Sequence, residues 1–339
     1  MTDAPSQRLQ ERRRRHERLA PRLSALDDQQ LAALLDTAPG WRNHIHGNQS
    51  GEIEVENTKI FVKKIALTDL ERLPENKRST ANLFGLPTFY QYGVGSAGFG
   101  AWRELEAYLR ASDWALSGAC PYFPLLHHWR IAPRTSRPAL TPEQLTWLDD
   151  APAYWGGSEA VRARLEAIAA ASATVVLFLE HIPESLDAWL TRGLVEPAHD
   201  EADTLRLHDQ LQEAAAFMNA RGMLHFDLHA HNVLTDGDQA YVADFGLALC
   251  SDFELSPAER AFFDAHRLYD RSFVAWDLAE RIAKKAPAPP EPATALGALM
   301  GRYAKVTSIF RRFFDGLAKG RRTTPYPARD LAAAFAALA

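Results

Sequence analysis

The sequence predicts an α+β protein of two lobes, a small β-rich N-terminal lobe followed by a helical C-terminal lobe. Three observations predict it. Strand signals fall mainly in the first half of the chain, and helical periodicity dominates from Glu184 onward. The bulk composition, 339 residues with 47% hydrophobic and 24% charged side chains, is that of an ordinary globular chain of one to three domains.

The elements follow in order. Residues 1–39 read as an appended N-terminal helical extension: Leu19, Leu23 and Leu26 recur at three- and four-residue steps, and Leu31, Leu34 and Leu35 repeat the pattern after an Asp27-Asp28 cap. Residues 40–182 make the first lobe and its exit segment. In it, Glu52 to Ile65 reads as a β-hairpin, with Ile53 and Val55 on one arm, Ile60 and Val62 on the other, and Glu56-Asn57 at the turn. Two further strands are expected within Pro121 to Ile131 and Ala173 to Ile182, and Ala101 to Arg110 has helical character. Insertions are expected at 66–100 and 132–172, the second carrying a helix at Glu159 to Ala170. Residues 183–339 make the helical lobe, broken only by short strands near Val233-Leu234 and Tyr241-Val242. The Pro-rich stretch from Ala286 to Pro292 is read as a connector between helices.

Composition excludes several classes of function. The longest apolar run, Leu331 to Ala339, falls far short of the roughly 20 residues a membrane span needs, and the N-terminus lacks the apolar core of a signal peptide. A cytoplasmic protein without a membrane partner is expected. Two cysteines, Cys120 and Cys250, offer neither a disulfide framework nor metal-ligand spacing. A net charge of -5 argues against nucleic acid as a partner. The run Arg12 to Arg15 is expected to be a solvated face of the first helix.

The chemistry concentrates in one stretch, His225-Phe226-Asp227-Leu228-His229-Ala230-His231-Asn232, followed after a short turn by Asp244-Phe245-Gly246. Phosphoryl transfer needs one carboxylate near an acceptor hydroxyl and two oxygen ligands holding Mg²⁺ against phosphates, because the reaction is mostly positioning and charge neutralisation. A loop offering Asp227 and Asn232, then a strand pair turning at Asp236-Gly237, supplies that set with Asp244. The pattern resembles the catalytic loop H-x-D-x-x-x-x-N and the metal-binding D-F-G of the protein-kinase-like superfamily.

That resemblance implies a bilobal protein-kinase-like fold with ATP and Mg²⁺ as cofactors, Asp227 and His225 in the catalytic set, and Asn232 and Asp244 as metal ligands. It extends backward. Leu205 to Gly222 looks like the helix leading into the loop, and Val175 to Leu190 is similar to the central strand, hinge and following helix. On that matching Leu179 lies at the back of an adenine pocket, and the backbone of Glu180 and Ile182 bonds the adenine edge. Ile60-Phe61-Val62-Lys63 resembles V-A-I-K and nominates Lys63 for the phosphates, with Lys64 its rival. Side chains alternate along a strand, so only one of the two can serve. Glu104 resembles the lysine's partner, with Glu106 second; residues two apart on a helix do not share a face. Gly47 and Gly51 stand where a degenerate phosphate loop is expected. Gly93 to Gly98 fits G-x-G-x-x-G but follows Lys63 instead of preceding it, so it reads either as a flap or as a plain packed loop.

Departures from the pattern also inform. Phe226 replaces the family's arginine and is expected to pack into the helical lobe. His229 stands two positions after Asp227, as in aminoglycoside-phosphotransferase-type kinases. No A-P-E follows, and Asp270 is the match to a buried aspartate bracing the catalytic loop. Transfer to a Ser or Thr hydroxyl of a protein or peptide is the expected activity. The alternatives are a small-molecule kinase, a peptide kinase of a lanthipeptide-type system, and a pseudokinase binding scaffold.

Overall fold

Glu56 and Asn57 take φ of 49° and 57°, the pair of left-handed residues that a two-residue hairpin turn requires. The predicted hairpin forms around them. The computed structural model describes residues 4–44, 48–134, 141–195, 201–286, 288–320 and 322–338. The protein is α+β, with a five-stranded antiparallel sheet and many helices. Its contacts divide it into two units, the first comprising Met1–Pro87 and Ala97–Ile182, the second Thr88–Ser96 and Pro183–Ala339.

The first unit runs α1 (Ala4–Ser24), α2 (Asp28–Asp36), β1 (Arg42–Asn43), β2 (Gln49–Val55), β3 (Thr58–Leu67), α3 (Asp69–Arg72), α4 (Ala101–Ser117), β4 (Leu126–Pro133), α5 (Pro142–Tyr154), α6 (Glu159–Ala170) and β5 (Ala173–Glu180). Strand order is β1-β2-β3-β5-β4. Every residue of β5 is buried, which is why its sequence shows a continuous apolar run in place of alternation. On β3 the side chains do alternate. Ile60 and Val62 join Val176, Phe178 and the leucines Leu19, Leu23, Leu31 and Leu35 in one core. The apolar stripe of α1 and α2, the helices of the expected N-terminal extension, packs against one face of the sheet. Asp27 begins α2 with a capping box, its carboxylate accepting the Gln30 N–H and the Gln30 side chain accepting the Asp27 N–H.

The arginine run is corrected at its first member. Arg12 is 4% exposed. Its guanidinium donates to both Glu180 carboxylate oxygens and to the carbonyls of Pro121 and Phe123. Arg13 donates to the Leu116 carbonyl, and Arg15 lies 3.7 Å from Glu180. Only part of the run is solvated. The insertion at 132–172 contains α6 as expected and also α5, which sequence periodicity did not show.

The second unit runs β6 (Glu184–Ser185), α7 (Leu186–Val195), α8 (Glu201–Ala220), β7 (Met223–Leu224), β8 (Val233–Thr235), β9 (Ala240–Val242), β10 (Leu249–Cys250), α9 (Pro257–Ala265), α10 (Tyr269–Lys285), α11 (Ala295–Ala318) and α12 (Ala328–Ala336). Strands β8 and β9 pair antiparallel across the Asp236-Gly237 turn, where Gly237 has φ 95°. Phe226, Tyr269, Phe273, Phe310 and Phe313 form the centre of its core, to which Tyr92 also belongs. No described helix is long and apolar enough to cross a membrane.

Candidate functional site

In the first unit, alternation along β3 sends Lys63 to the face opposite Ile60 and Val62. There Lys63 Nζ meets Glu104 Oε1 at 2.7 Å, with both side chains less than a tenth exposed. The rivals go elsewhere. Lys64 Nζ lies 3.4 Å over the Trp41 ring, where burial holds its amine below the usual lysine range against the pull of Asp36. Glu106 pairs with Arg78 on the surface of α4.

The helix that presents Glu104 is fixed at its start by an unforeseen buried cluster. Glu71 Oε1 accepts the Ala101 N–H at 2.6 Å, and the Glu71 carbonyl accepts Trp102 Nε1 at 2.9 Å. The other Glu71 oxygen is held by Thr68 Oγ1 and by Arg164 from α6 at 2.9 Å. A carboxylate at a helix N-terminus satisfies an orphan N–H and complements the macrodipole. The α6 insertion thereby steadies the Glu104 helix through one arginine.

In the second unit, the catalytic-loop candidates converge. Asn232 Nδ2 donates to Asp227 Oδ2 at 2.8 Å and to the Asp227 carbonyl at 3.0 Å. His225 Nε2 donates to the Ala243 carbonyl at 3.0 Å, which leaves Nδ1 to accept the Asp227 N–H at 3.3 Å. The His225 ring lies 5.1 Å from that of Phe245. His225 thus positions Asp227 through the backbone. Asp270, fully buried, accepts the His225 N–H at 2.7 Å and the Phe226 N–H at 2.9 Å. Burial pushes its carboxyl up to about 6, against the lowering effect of those two N–H groups. Phe226 is buried as expected, and it holds φ 63°, a left-handed conformation costly for an aromatic residue.

Asp277 was not foreseen. It lies two turns beyond Asp270 on α10 and so on the same face, and it accepts the Ala230 N–H at 2.9 Å. One helix therefore holds both ends of the loop with two carboxylates. Burial pushes Asp277 up to about 6 as well. The i, i+7 spacing was the available signal. His229 Nε2 stands 3.5 Å from Asp227 Oδ1, and burial lowers its imidazole below the ordinary histidine range despite the nearby Asp277 and Asp244 charges.

Asp244 begins the turn after β9 at φ 62°, and its Oδ1 accepts the Gly246 N–H at 3.3 Å. The Ala243 N–H donates to the Asn232 carbonyl at 2.9 Å, so Asn232 and Asp244 lie at the same end of the β8–β9 ribbon. With the Asn232 amide nitrogen turned to Asp227, its Oδ1 faces the other way. Asp244 carboxylate and Asn232 Oδ1 are hard oxygen donors of the kind Mg²⁺ takes. No group of three or more His, Cys, Asp or Glu is arranged to hold a metal among the described residues. An ion here would complete its shell from phosphate and water, as Mg²⁺ commonly does.

The nucleotide-edge candidates fare unevenly. Leu179 is buried near the end of β5 and Ile182 is half-buried. The Glu180 N–H is already given to the Leu125 carbonyl at 2.8 Å, so of its backbone polar groups the carbonyl is the candidate for adenine. Gly51 lies inside β2, where a Cβ would meet the Gly40 carbonyl and the Trp41 ring at 3.1 Å. Gly47 lies outside the described residues. Gly93 packs against Asp227, a position that its G-x-G-x-x-G context could not indicate. No protein-family model matches the chain, and no curated protein matches it.

Proposed function

We propose that the chain is an ATP-dependent phosphotransferase of the protein-kinase-like type, with a small β-rich lobe and a helical lobe, moving the γ-phosphate of Mg·ATP to a Ser or Thr hydroxyl of a protein or peptide. The observation that carries the reading is the buried Lys63–Glu104 ion pair. Removing two charges from water costs several kcal/mol each, which stability alone seldom repays, whereas a phosphate-binding lysine must be held in place by such a partner. Asp227 is assigned as the base for the acceptor hydroxyl, Asn232 and Asp244 as the Mg²⁺ ligands, and Lys63 to the phosphates. His225 and Asp270 position the loop.

A second reading, a small-molecule acceptor, is favoured by His229 beside Asp227 and by the short stretch between the Asp244 turn and α9, which begins at Pro257. The same experiment separates the two and tests both. The protein is incubated with γ-labelled ATP, Mg²⁺ and a cell lysate, and the label is followed into protein or into small molecules. Label in protein supports the first reading and label in small molecules the second. Nucleotide binding with no transfer to either would refute both in favour of a scaffold.

A further inference from the structure

Between β3 and α4 the chain leaves the first unit, and Thr88–Ser96 belongs to the second. Two anchors seat this segment. Tyr92 is 3% exposed; its ring packs against Phe226, Tyr269 and Phe313, and its Oη lies 2.7 Å from His266 Nε2. Gln91 Nε2 donates to the Leu247 carbonyl. Gly93 follows Tyr92 directly. A Cβ built there would stand 3.0 Å from Asp227 Cγ and deep inside contact distance of Oδ1. The bare backbone of Gly93 therefore lies directly on the carboxylate. Asn232 Nδ2 holds the other oxygen at 2.8 Å, and His229 Nε2 flanks Oδ1 at 3.5 Å.

Resting on the phosphotransferase reading, we propose that Thr88–Ser96 is a fixed wall of the acceptor site and that Gly93 is a specificity-determining residue, admitting a primary hydroxyl such as that of a seryl side chain to Asp227 and rejecting the branched threonyl hydroxyl. In threonine the extra methyl sits on the carbon bearing the hydroxyl, so it must follow the oxygen into a gap bounded by the Gly93 backbone and the His229 imidazole. Tyr92, buried among aromatic rings, and Gln91, bonded to the Leu247 carbonyl, anchor the wall at the two positions before Gly93. In the transfer the seryl oxygen bonds to the γ-phosphorus, and the bond from that phosphorus to the bridging oxygen breaks with its electron pair leaving on ADP. The hydroxyl proton passes to Asp227 and then to solvent. Discrimination against one methyl group is worth roughly 10- to 200-fold.

The full chain is tested with Mg²⁺, γ-labelled ATP and two degenerate peptide mixtures that differ only in a fixed seryl or threonyl acceptor. We expect the seryl mixture to be labelled roughly 10- to 200-fold faster. Gly93→Ala should remove labelling of both while leaving the nucleotide-dependent thermal shift in place. Equal rates, or a Gly93→Ala chain that still transfers, would overturn the proposal. Label in neither mixture overturns the peptide-acceptor reading and the seryl preference with it. Thermal melts test the contact without any activity: Gly93→Ala should lower the midpoint in the natural chain but not in an Asp227→Ala background, where the colliding carboxylate is gone. Equal losses in both backgrounds would show that Gly93 does not press on Asp227, and would remove the wall whatever the enzyme does.

Discussion

Replacing Asp270 with Asn changes one atom and should unseat the loop that carries Asp227. The carboxylate accepts two backbone N–H groups, from His225 at 2.7 Å and Phe226 at 2.9 Å, at a fully buried position. The amide keeps one acceptor and turns an NH₂ group toward the other N–H. Two buried donors then lack partners, at about 1–3 kcal/mol each, so a loss of about 2–6 kcal/mol at pH 7 is expected. That is a large share of the whole stability of a typical domain. The pH dependence carries a second signature. Because the folded Asp270 carboxyl is raised to about 6 from 3.8, the native state holds a proton that the unfolded chain releases between those values. Its contribution to stability is complete below the lower value and lost as pH rises through the upper one, about 3 kcal/mol over the window. The asparagine variant lacks this titration, so the gap between the two proteins should widen as pH falls from 7 to 4. Denaturant melts across that range measure the gap, and hydrogen exchange at the His225 and Phe226 amides reports the local opening. A constant or narrowing gap, or unchanged amide protection in the variant, would refute the bracing role.

Further outcomes are expected at Lys63, Lys64, Asp227, Asp244 and Arg164. Lys63→Ala should lower turnover severely while Lys64→Ala, which loses the Trp41 contact and the attraction of Asp36, should not; the reverse in a steady-state assay would exchange their roles. Asp227→Ala should keep nucleotide affinity and lose roughly 10²- to 10⁴-fold in rate, whereas Asp244→Asn should abolish the Mg²⁺-dependent part of the nucleotide thermal shift; an unchanged shift removes the metal assignment. Arg164→Ala strips Glu71 of its buried partner and should cost about 3–5 kcal/mol in a urea melt, with a loss below 1 kcal/mol showing that Glu71 is held well enough by Thr68 and the α4 N-terminus.

The local elements were legible where chemistry and pattern are adjacent in sequence. The Glu56-Asn57 turn lies between two alternating arms, and α6 has regular apolar spacing, so both were visible. Helix α5 was not, because Pro152 lies within it and its apolar positions form a weak stripe. The choice of Lys63 over Lys64 rested on the likeness of Ile60-Phe61-Val62-Lys63 to V-A-I-K, strand alternation adding only that one of the two lysines could serve. Long-range partners were hidden. Arg12 looked like one of four surface arginines because Glu180 is 168 positions away, and the Glu71–Arg164 pair spans 93. Gly93 drew notice through a phosphate-loop pattern, yet its glycine is required by Asp227, which no local motif encodes.

The Arg12–Glu180 clamp also sets an order of events during synthesis. Helix α1 leaves the ribosome 168 residues before its buried partner does, a delay of roughly 8–34 s at about 5–20 residues per second. Through most of that interval Leu19 and Leu23 have only the β2–β3 hairpin to cover, since β5 supplies Val176 and Phe178 to their core. The arginines that later bind Glu180 and the nearby carbonyls are, in the meantime, a block of like charge without its buried partner. An arrested nascent chain ending before Ala173 should accordingly leave α1 open to protease, and extension far enough to bring Glu180 out of the ribosome should close it.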